Sequence, residues 1–350
     1  MIKVDTLLKY AIKMNASDLH LVPDTPPVLR IHGQIRAIDA ESRKIVVTEE
    51  LVETLMNSHQ LSEFRKERHL GFSFSAPSLG RFRVEVYYDR GKMAAAIRLT
   101  ARELPALETL GLPPVLDELC RKPNGLVLVT GPTGTGKTTT LNSMVDVINR
   151  EMACKITTIE DPIEMLHQNK RSIIVQQEVF EDTPSFARAL VHVLRQDPDV
   201  VVVGEMRDLE TIQTALTAAE TGHLVMATLH TASAAQTIDR IIDVFPPHHQ
   251  QQIRIQLSST LRAIVSQRLL PRVDIDGRAL AYEVLVNTPA VKNVIRESKG
   301  QQLASLMQSG ADRGMCTMDT SIDRLYKSGM ISYDVALENV TSEKALRSGP

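Results

Sequence analysis

The sequence predicts an α/β fold: a largely parallel sheet with helices on both faces, preceded by a small α+β domain and followed by a helical region. Three observations predict it. Short, nearly continuous apolar runs at 126–130, 155–159, 200–203 and 224–229 are separated by helical patterns such as Leu141, Met144, Val145 and Ile148. Strands that are apolar on both faces belong in a sheet covered on both sides. A glycine-rich turn, 131–136, falls between the first of these strands and the helix after it. The pattern also changes at 104–114, a stretch with three prolines and little periodicity. Residues 1–100, 101–114, 115–285 and 286–350 are therefore expected as first domain, linker, sheet core and helical C-terminal region.

Each element follows from local pattern. Val4, Leu7, Leu8, Ala11 and Ile12 share one face of a helix over 4–14. Two β-like runs, 19–22 and 28–32, flank the turn-forming Pro23-Asp-Thr-Pro-Pro27, and Gly33 marks a tight turn. A charged helical stretch near 49–67 precedes β-like segments at 71–75, 81–88 and 93–99. From about 285 the chain reads as helical, over 291–298, 302–308 and 320–327.

Composition excludes several classes. The net charge of −2 and the lack of a Lys/Arg run give no bulk field for nucleic acid or anionic lipid. Cys120, Cys154 and Cys316 form no C-x-x-C pair, so neither a disulfide framework nor a zinc module is expected. The N-terminus is too polar for a signal peptide, and no apolar run approaches the ~18 residues a membrane span needs. A cytoplasmic protein without direct membrane insertion is expected, reaching any membrane through a partner.

The run Gly131-Pro-Thr-Gly-Thr-Gly-Lys-Thr138 has strand, glycine-rich loop and helix start in the order of a phosphate-binding loop. Gly131, Gly134 and Gly136 let backbone N–H groups turn toward phosphate oxygens. Pro132, Thr133, Thr135 and Thr139 complete the ATP-binding stretch. Lys137 reaches the β- and γ-phosphates, Thr138 offers a hydroxyl to Mg²⁺, and the helix directs its positive end at the phosphates. Such a pattern arises by chance in roughly one chain of this length per hundred, and the flanking strand and helix lower that further.

Carboxylates for metal and water are found on two other strands. Val200-Val-Val-Val-Gly-Glu205 is an apolar strand ending in an acid, and Thr158-Ile-Glu-Asp-Pro-Ile-Glu164 follows another. A parallel sheet presents the C-terminal ends of its strands on one edge, so Glu160, Asp161, Glu164 and Glu205 are expected to converge near the loop. Such acids bind Mg²⁺ through water or take a proton from an attacking water. Any one of them alone is as well explained as a solvated loop acid. His223 and His230 bracket the strand at 224–229, with His230 on the nucleotide edge as a phosphate sensor and His223 structural.

These blocks together resemble the type II/IV secretion ATPase superfamily, through the loop, Ile159-Glu-Asp-Pro-Ile-Glu164, Gly204-Glu-Met-Arg-Asp208 and Thr221-Gly-His-Leu…Thr-Leu-His230. Ser17-Asp-Leu-His-Leu21 and Gly80-Arg-Phe-Arg83 extend the resemblance into the first domain. Ala290-Val-Lys-Asn-Val-Ile-Arg-Glu297 is similar to the C-terminal signature of the PilT branch, the pilus retraction motors, with departures at Val291, Lys292 and Val294. On periodicity alone that block is an amphipathic helix.

The resemblance implies a PAS-like N-terminal domain, a RecA-like ATPase domain and a homohexameric ring. It implies Glu164 as general base, Glu205 as the Walker B acid holding Mg²⁺ or its water, and His230 as the His-box residue. It further implies that Arg81, Arg83 and Arg98 act as phosphate fingers. The alternation in Arg81-Phe-Arg-Val-Glu-Val equally suits two solvent-facing strand arginines. The implied partners are an inner-membrane pilus platform protein and other pilus ATPases. The implied activity is Mg²⁺-dependent ATP hydrolysis driving pilus retraction and twitching motility. An accessory paralogue, an extension or secretion ATPase, and a non-hydrolysing ring subunit are the alternatives. Against the second stand the short N-terminal region and the missing tetracysteine module; against the last stand Lys137, Thr138, Glu164 and Glu205.

Overall fold

The structure, a computed structural model, describes residues 3–31, 33–38, 46–76, 79–99 and 104–346. The expected boundary at 100/101 and His32, at the end of an expected strand, lie outside them. The chain divides into two compact units: Met1–Glu103 with Pro162–Leu166, and Leu104–Asp161 with His167–Pro350.

In the first unit, α1 (Val4–Lys13) buries Val4, Leu7, Leu8 and Ala11, the stripe expected of an amphipathic helix. The strands β1 (Asp18–Leu21), β2 (Val28–Ile31), β3 (Gln34–Ala37), β4 (His69–Ala76), β5 (Gly80–Asp89) and β6 (Lys92–Leu99) form one antiparallel sheet, ordered β3-β2-β1-β6-β5-β4. The stretch at 49–67 is two helices, α2 (Glu49–Glu53) and α3 (Ser58–Glu67). Asn57 and Gln60 exchange side-chain and backbone bonds at the start of α3, satisfying two otherwise orphaned amides. Leu19, Phe64, Val84 and Ile97 lie in the core of this unit.

The second unit holds α4 (Val115–Cys120), β7 (Gly125–Thr130), α5 (Lys137–Glu151), β8 (Lys155–Glu160), β9 (Ile173–Glu178), α6 (Phe186–Val193), β10 (Val200–Val203), α7 (Leu209–Glu220) and β11 (Leu224–Leu229). After these come α8 (Ala234–Asp243), α9 (Pro247–Thr260), β12 (Leu261–Pro271), β13 (Arg278–Val286), α10 (Pro289–Arg296), α11 (Leu303–Ser309), α12 (Met318–Lys327) and α13 (Tyr333–Asn339). The sheet order is β13-β12-β7-β11-β10-β8-β9, parallel throughout except for β13, which runs antiparallel to β12. Successive residues of the central strands enter opposite cores. Leu126, Leu128, Val201 and Val203 join one apolar cluster, while Val127, Val129, Val200 and Val202 join the other. That two-sided burial is why these strands read as continuous apolar runs.

Two further segments pack onto the second unit. Pro105 accepts a hydrogen bond from the Ser143 hydroxyl at 2.8 Å, and Leu107 is buried beside Leu116 and Met144. Residues 104–114 are thus packed onto the second unit instead of spanning freely. The helices after β13 also belong to that unit. Cys316 and Val284 exchange N–H···O bonds of 3.1 and 2.8 Å, and the Ser321 hydroxyl accepts the Tyr282 N–H at 3.1 Å.

Candidate nucleotide-binding site

The site is built where parallel strands end together. Thr130 pairs with Leu229, Val203 with Ala227, and Val203 with Ile159. The residues following β7, β11 and β10 therefore emerge on one edge: the loop 131–136, His230, and Gly204 with Glu205.

The loop's shape depends on its glycines for two different reasons. Gly134 and Gly136 have φ of +79° and +87°, with open space where a Cβ would stand. They are glycines because the backbone is left-handed. Gly131, at φ +142°, is also crowded: a Cβ there would lie 2.3 Å from the Gln267 carbonyl oxygen and 2.8 Å from Thr135 Oγ1. Its absent side chain admits the β12 main chain, a contact that the motif alone does not announce. Thr135 Oγ1 donates to the Pro132 carbonyl at 2.9 Å, folding the loop back on itself.

Lys137 is the first residue of α5 and is buried. Its Nζ donates to the Gly131 and Pro132 carbonyls at 2.8 and 2.9 Å, so the ammonium lies across the inside of the loop. Pro132, Thr133 and Gly134 form an exposed rim, and Thr138 and Thr139 are half-buried at the start of α5. Below them, Gln267 Nε2 donates to Thr140 Oγ1 at 2.7 Å, and Thr130 Oγ1 lies 2.9 Å from Ser266 Oγ. Arg278 Nη1 reaches the Gly134 carbonyl at 3.3 Å from the start of β13. Sequence reasoning missed Gln267 and Arg278, since no local motif marks either.

Glu205 follows β10 after Gly204, whose N–H donates to Ile159 at 2.8 Å. Only 16% of its side chain is exposed; Oε2 lies 2.7 Å from Arg207 Nη2, and Oε1 lies 2.9 Å from His230 Nε2. Burial raises the Glu205 pKa, but Arg207 and His230 outweigh it and hold the carboxyl below its ordinary range. Asp161 adds a second negative charge near Arg207. Arg207 lies inside the quoted Gly204–Asp208 block, yet only geometry shows it gripping the acid.

Among the other expected acids, Asp161 acts on Arg207, while Glu160 and Glu164 have different surroundings. Glu160 is buried at the end of β8 and accepts from Thr158 Oγ1 at 2.6 Å and Gln176 Nε2 at 3.0 Å, which gives it a structural place. Glu164 is exposed and belongs to 162–166, the segment grouped with the first unit. It is therefore not among the acids that the second unit itself brings together. His223, at the start of β11, has Nδ1 3.0 Å from the Ala218 carbonyl and closes the end of α7.

In the first unit, Arg83 pairs across the sheet with Arg98, Arg98 with Asp18, and Asp18 with Arg30. Residues in register share a face, so this is a transverse row of three arginines around one acid. Arg98 Nε donates to Asp18 Oδ1 at 3.1 Å, and Arg83 Nε donates to Glu85 Oε1 at 3.3 Å. Arg81 lies two residues from Arg83 on the same strand and is half-buried.

The family model described as "Type II/IV secretion system protein" matches residues 1–333. The chain belongs to this family. It is 43% identical over 335 residues to the type IV pilus retractation ATPase PilT of Pseudomonas aeruginosa, covering 96% of this chain and 97% of that one. It is 39% identical over 343 residues to the type IV pilus ATPase PilU of the same organism, covering 98% and 90%. A crystal structure of the pilus retraction motor PilT with bound ADP superposes with a TM-score of 0.92 at 47% identity, over 98% of both chains. In this secretion-family chain the sheet order and loop are those of a RecA-like ATPase core, and the fold class expected from sequence stands.

Proposed function

We propose that the chain is a P-loop ATPase that powers type IV pilus retraction as a homohexamer in the cytoplasm, working against an inner-membrane platform protein. The observation that carries the reading is the 43% identity to a pilus retractation ATPase over nearly the whole chain, with the phosphate loop, Glu205 and His230 all following strands that end on one edge of the sheet. Lys137 binds the β- and γ-phosphates, and the N–H groups of 133–138 line the phosphate path. Thr138 and Glu205 supply hard oxygens of the kind Mg²⁺ takes; both Glu205 oxygens already hold hydrogen bonds, which suits contact through water. When bound, the metal would neutralise charge on the phosphate oxygens. Glu164 takes the proton of the attacking water, and His230 reports on the phosphate through Glu205. Arg81, Arg83 and Arg98 are the proposed phosphate-binding arginines.

Among the described residues no helix is long and apolar enough to cross a membrane. The decisive experiment is a deletion strain. Hyperpiliated, non-twitching cells are expected, and bald cells would replace retraction with extension. The 39% identity to PilU favours a second reading, an accessory motor. Restoring twitching with this chain as the sole retraction ATPase rules that reading out.

A further inference from the structure

Gln176 stands on β9 in register with Thr158 of β8. Its Nε2 donates to Glu160 Oε1 at 3.0 Å, and its Oε1 accepts the His167 N–H at 2.9 Å. Glu160 is the last residue of β8, and His167 is where the chain rejoins the second unit. One side-chain amide thus holds both ends of the intervening stretch 161–166. Glu164 lies at the middle of 162–166, the part grouped with the first unit.

The His167 side chain fixes the outgoing end a second time. Its Nε2 lies 2.7 Å from Asn142 Oδ1, and Asn142 Nδ2 donates to the Thr138 carbonyl at 3.0 Å. With the Asn142 amide N–H turned to Thr138, its oxygen is the acceptor, and the bonding pattern assigns the ring proton to Nε2. Burial pushes the His167 pKa below its ordinary range; Lys170 pushes the same way and Asp146 opposes, so the ring is neutral at pH 7. Past His167 the chain stays on the same helix. Asn149 Nδ2 donates to the Gln168 carbonyl at 2.8 Å, and Asn149 Oδ1 accepts the Lys170 N–H at 3.0 Å. Asn142 and Asn149 are both buried and lie on one face of α5, the helix that begins at Lys137. A buried amide is destabilising unless it is bonded, and here both asparagines are bonded by the limb that leaves 161–166. A continuous polar path therefore runs from the Thr138 carbonyl through Asn142, His167 and Gln176 to Glu160.

We propose that Asn142, His167 and Gln176 are positioning residues for Glu164, fixing both ends of its segment to the unit that carries the phosphate loop. A base that must meet one attacking water loses rate when its placement loosens, while nucleotide binding is left alone. The proposal rests on the reading of Glu164 as the general base. The test uses the full chain and the variants Asn142→Ala, Gln176→Ala and Glu164→Gln, with each alanine variant also combined with Glu164→Gln. Alanine suits the helix interior at 142, so Asn142→Ala carries the test if Gln176→Ala fails to fold. Each alanine variant is expected to lower kcat roughly five- to twentyfold, with KM for ATP and the stoichiometry of a bound fluorescent ADP analogue within about twofold. Hydrogen exchange over 163–168 rises in both. Neither variant lowers the residual turnover of Glu164→Gln further. An unchanged kcat in a folded alanine variant, a loss carried by KM instead, or equal fold losses with and without Glu164→Gln overturns the proposal while the base reading stands. Full turnover in Glu164→Gln removes both.

Discussion

Gly131 is the position at which one added methyl should do most damage. Its φ of +142° is one that L side chains rarely adopt, and the new Cβ would lie 2.3 Å from the Gln267 carbonyl oxygen. That oxygen cannot retreat easily. β12 is held on one side by β7, through Ser266 and Thr130, and on the other by β13, through Gln267 and Tyr282. Backbone strain of about 1–3 kcal/mol and overpacking of about 1–3 kcal/mol add to a predicted loss of roughly 2–6 kcal/mol for Gly131→Ala. Gly134→Ala, also at positive φ but in open space, should lose only the strain, roughly 1–2 kcal/mol. The chain has no tryptophan, so urea melts followed by circular dichroism are the suitable assay. The two losses agreeing within about 0.5 kcal/mol, inside the scatter of distant substitutions, would refute the steric argument.

Other expectations follow from single groups. Lys137→Ala should abolish nucleotide binding in a fluorescent-analogue titration, while Glu205→Ala keeps binding and lowers kcat at least about a hundredfold, as loss of a group acting in the transition state does. Retention of full turnover by either purified variant ends the proposed site. Glu283, whose pKa is raised above the ordinary 4.5, binds a proton in the folded state that the unfolded chain has released. Its contribution is complete below 4.5 and is lost as pH rises through the folded value, so the stability of wild type minus Glu283→Gln should fall with pH in that window. Asp319 and Arg268 face the same carboxyl, so a melt series on Asp319→Asn should narrow that window. Cys120, pushed to about 12 by burial and then by Asp117, should resist a disulfide reagent at pH 8 until denaturant is added. At that pH only about one thiol in ten thousand is thiolate. Rapid native labelling of Cys120 would contradict its burial.

The central strands were legible because each is buried on both faces. β7, β8, β10 and β11 announce themselves as apolar runs, and the loop after β7 carries its own signature. β12 and β13 were not legible. Arg262 and Arg268 interrupt β12, yet each is satisfied locally, Arg262 by the Asn124 carbonyl at 3.0 Å and Arg268 by Asn339. β3, Gln34–Ala37, is exposed at all four positions, so no alternation reveals it. At the site, Lys137, Glu205 and His230 lie in short recognisable blocks. Gln267 and Glu283 bond to Thr140 and Ala234, partners that only folding brings near, and Glu164 lies in 162–166, a segment that groups with the first unit.

The seam between α9 and β12 has no connecting residue: Thr260 ends the helix and Leu261 begins the strand. A register irregularity between Leu261 and Ala263 is the only slack there. Inserting one residue would turn every following β12 side chain to the opposite face. Gln267 would leave Thr140, and Ser266 would leave Thr130. The seam therefore fixes chain length in the way a reading frame does, and length variation belongs at the β12–β13 turn, where Val273 and Ile275 are exposed.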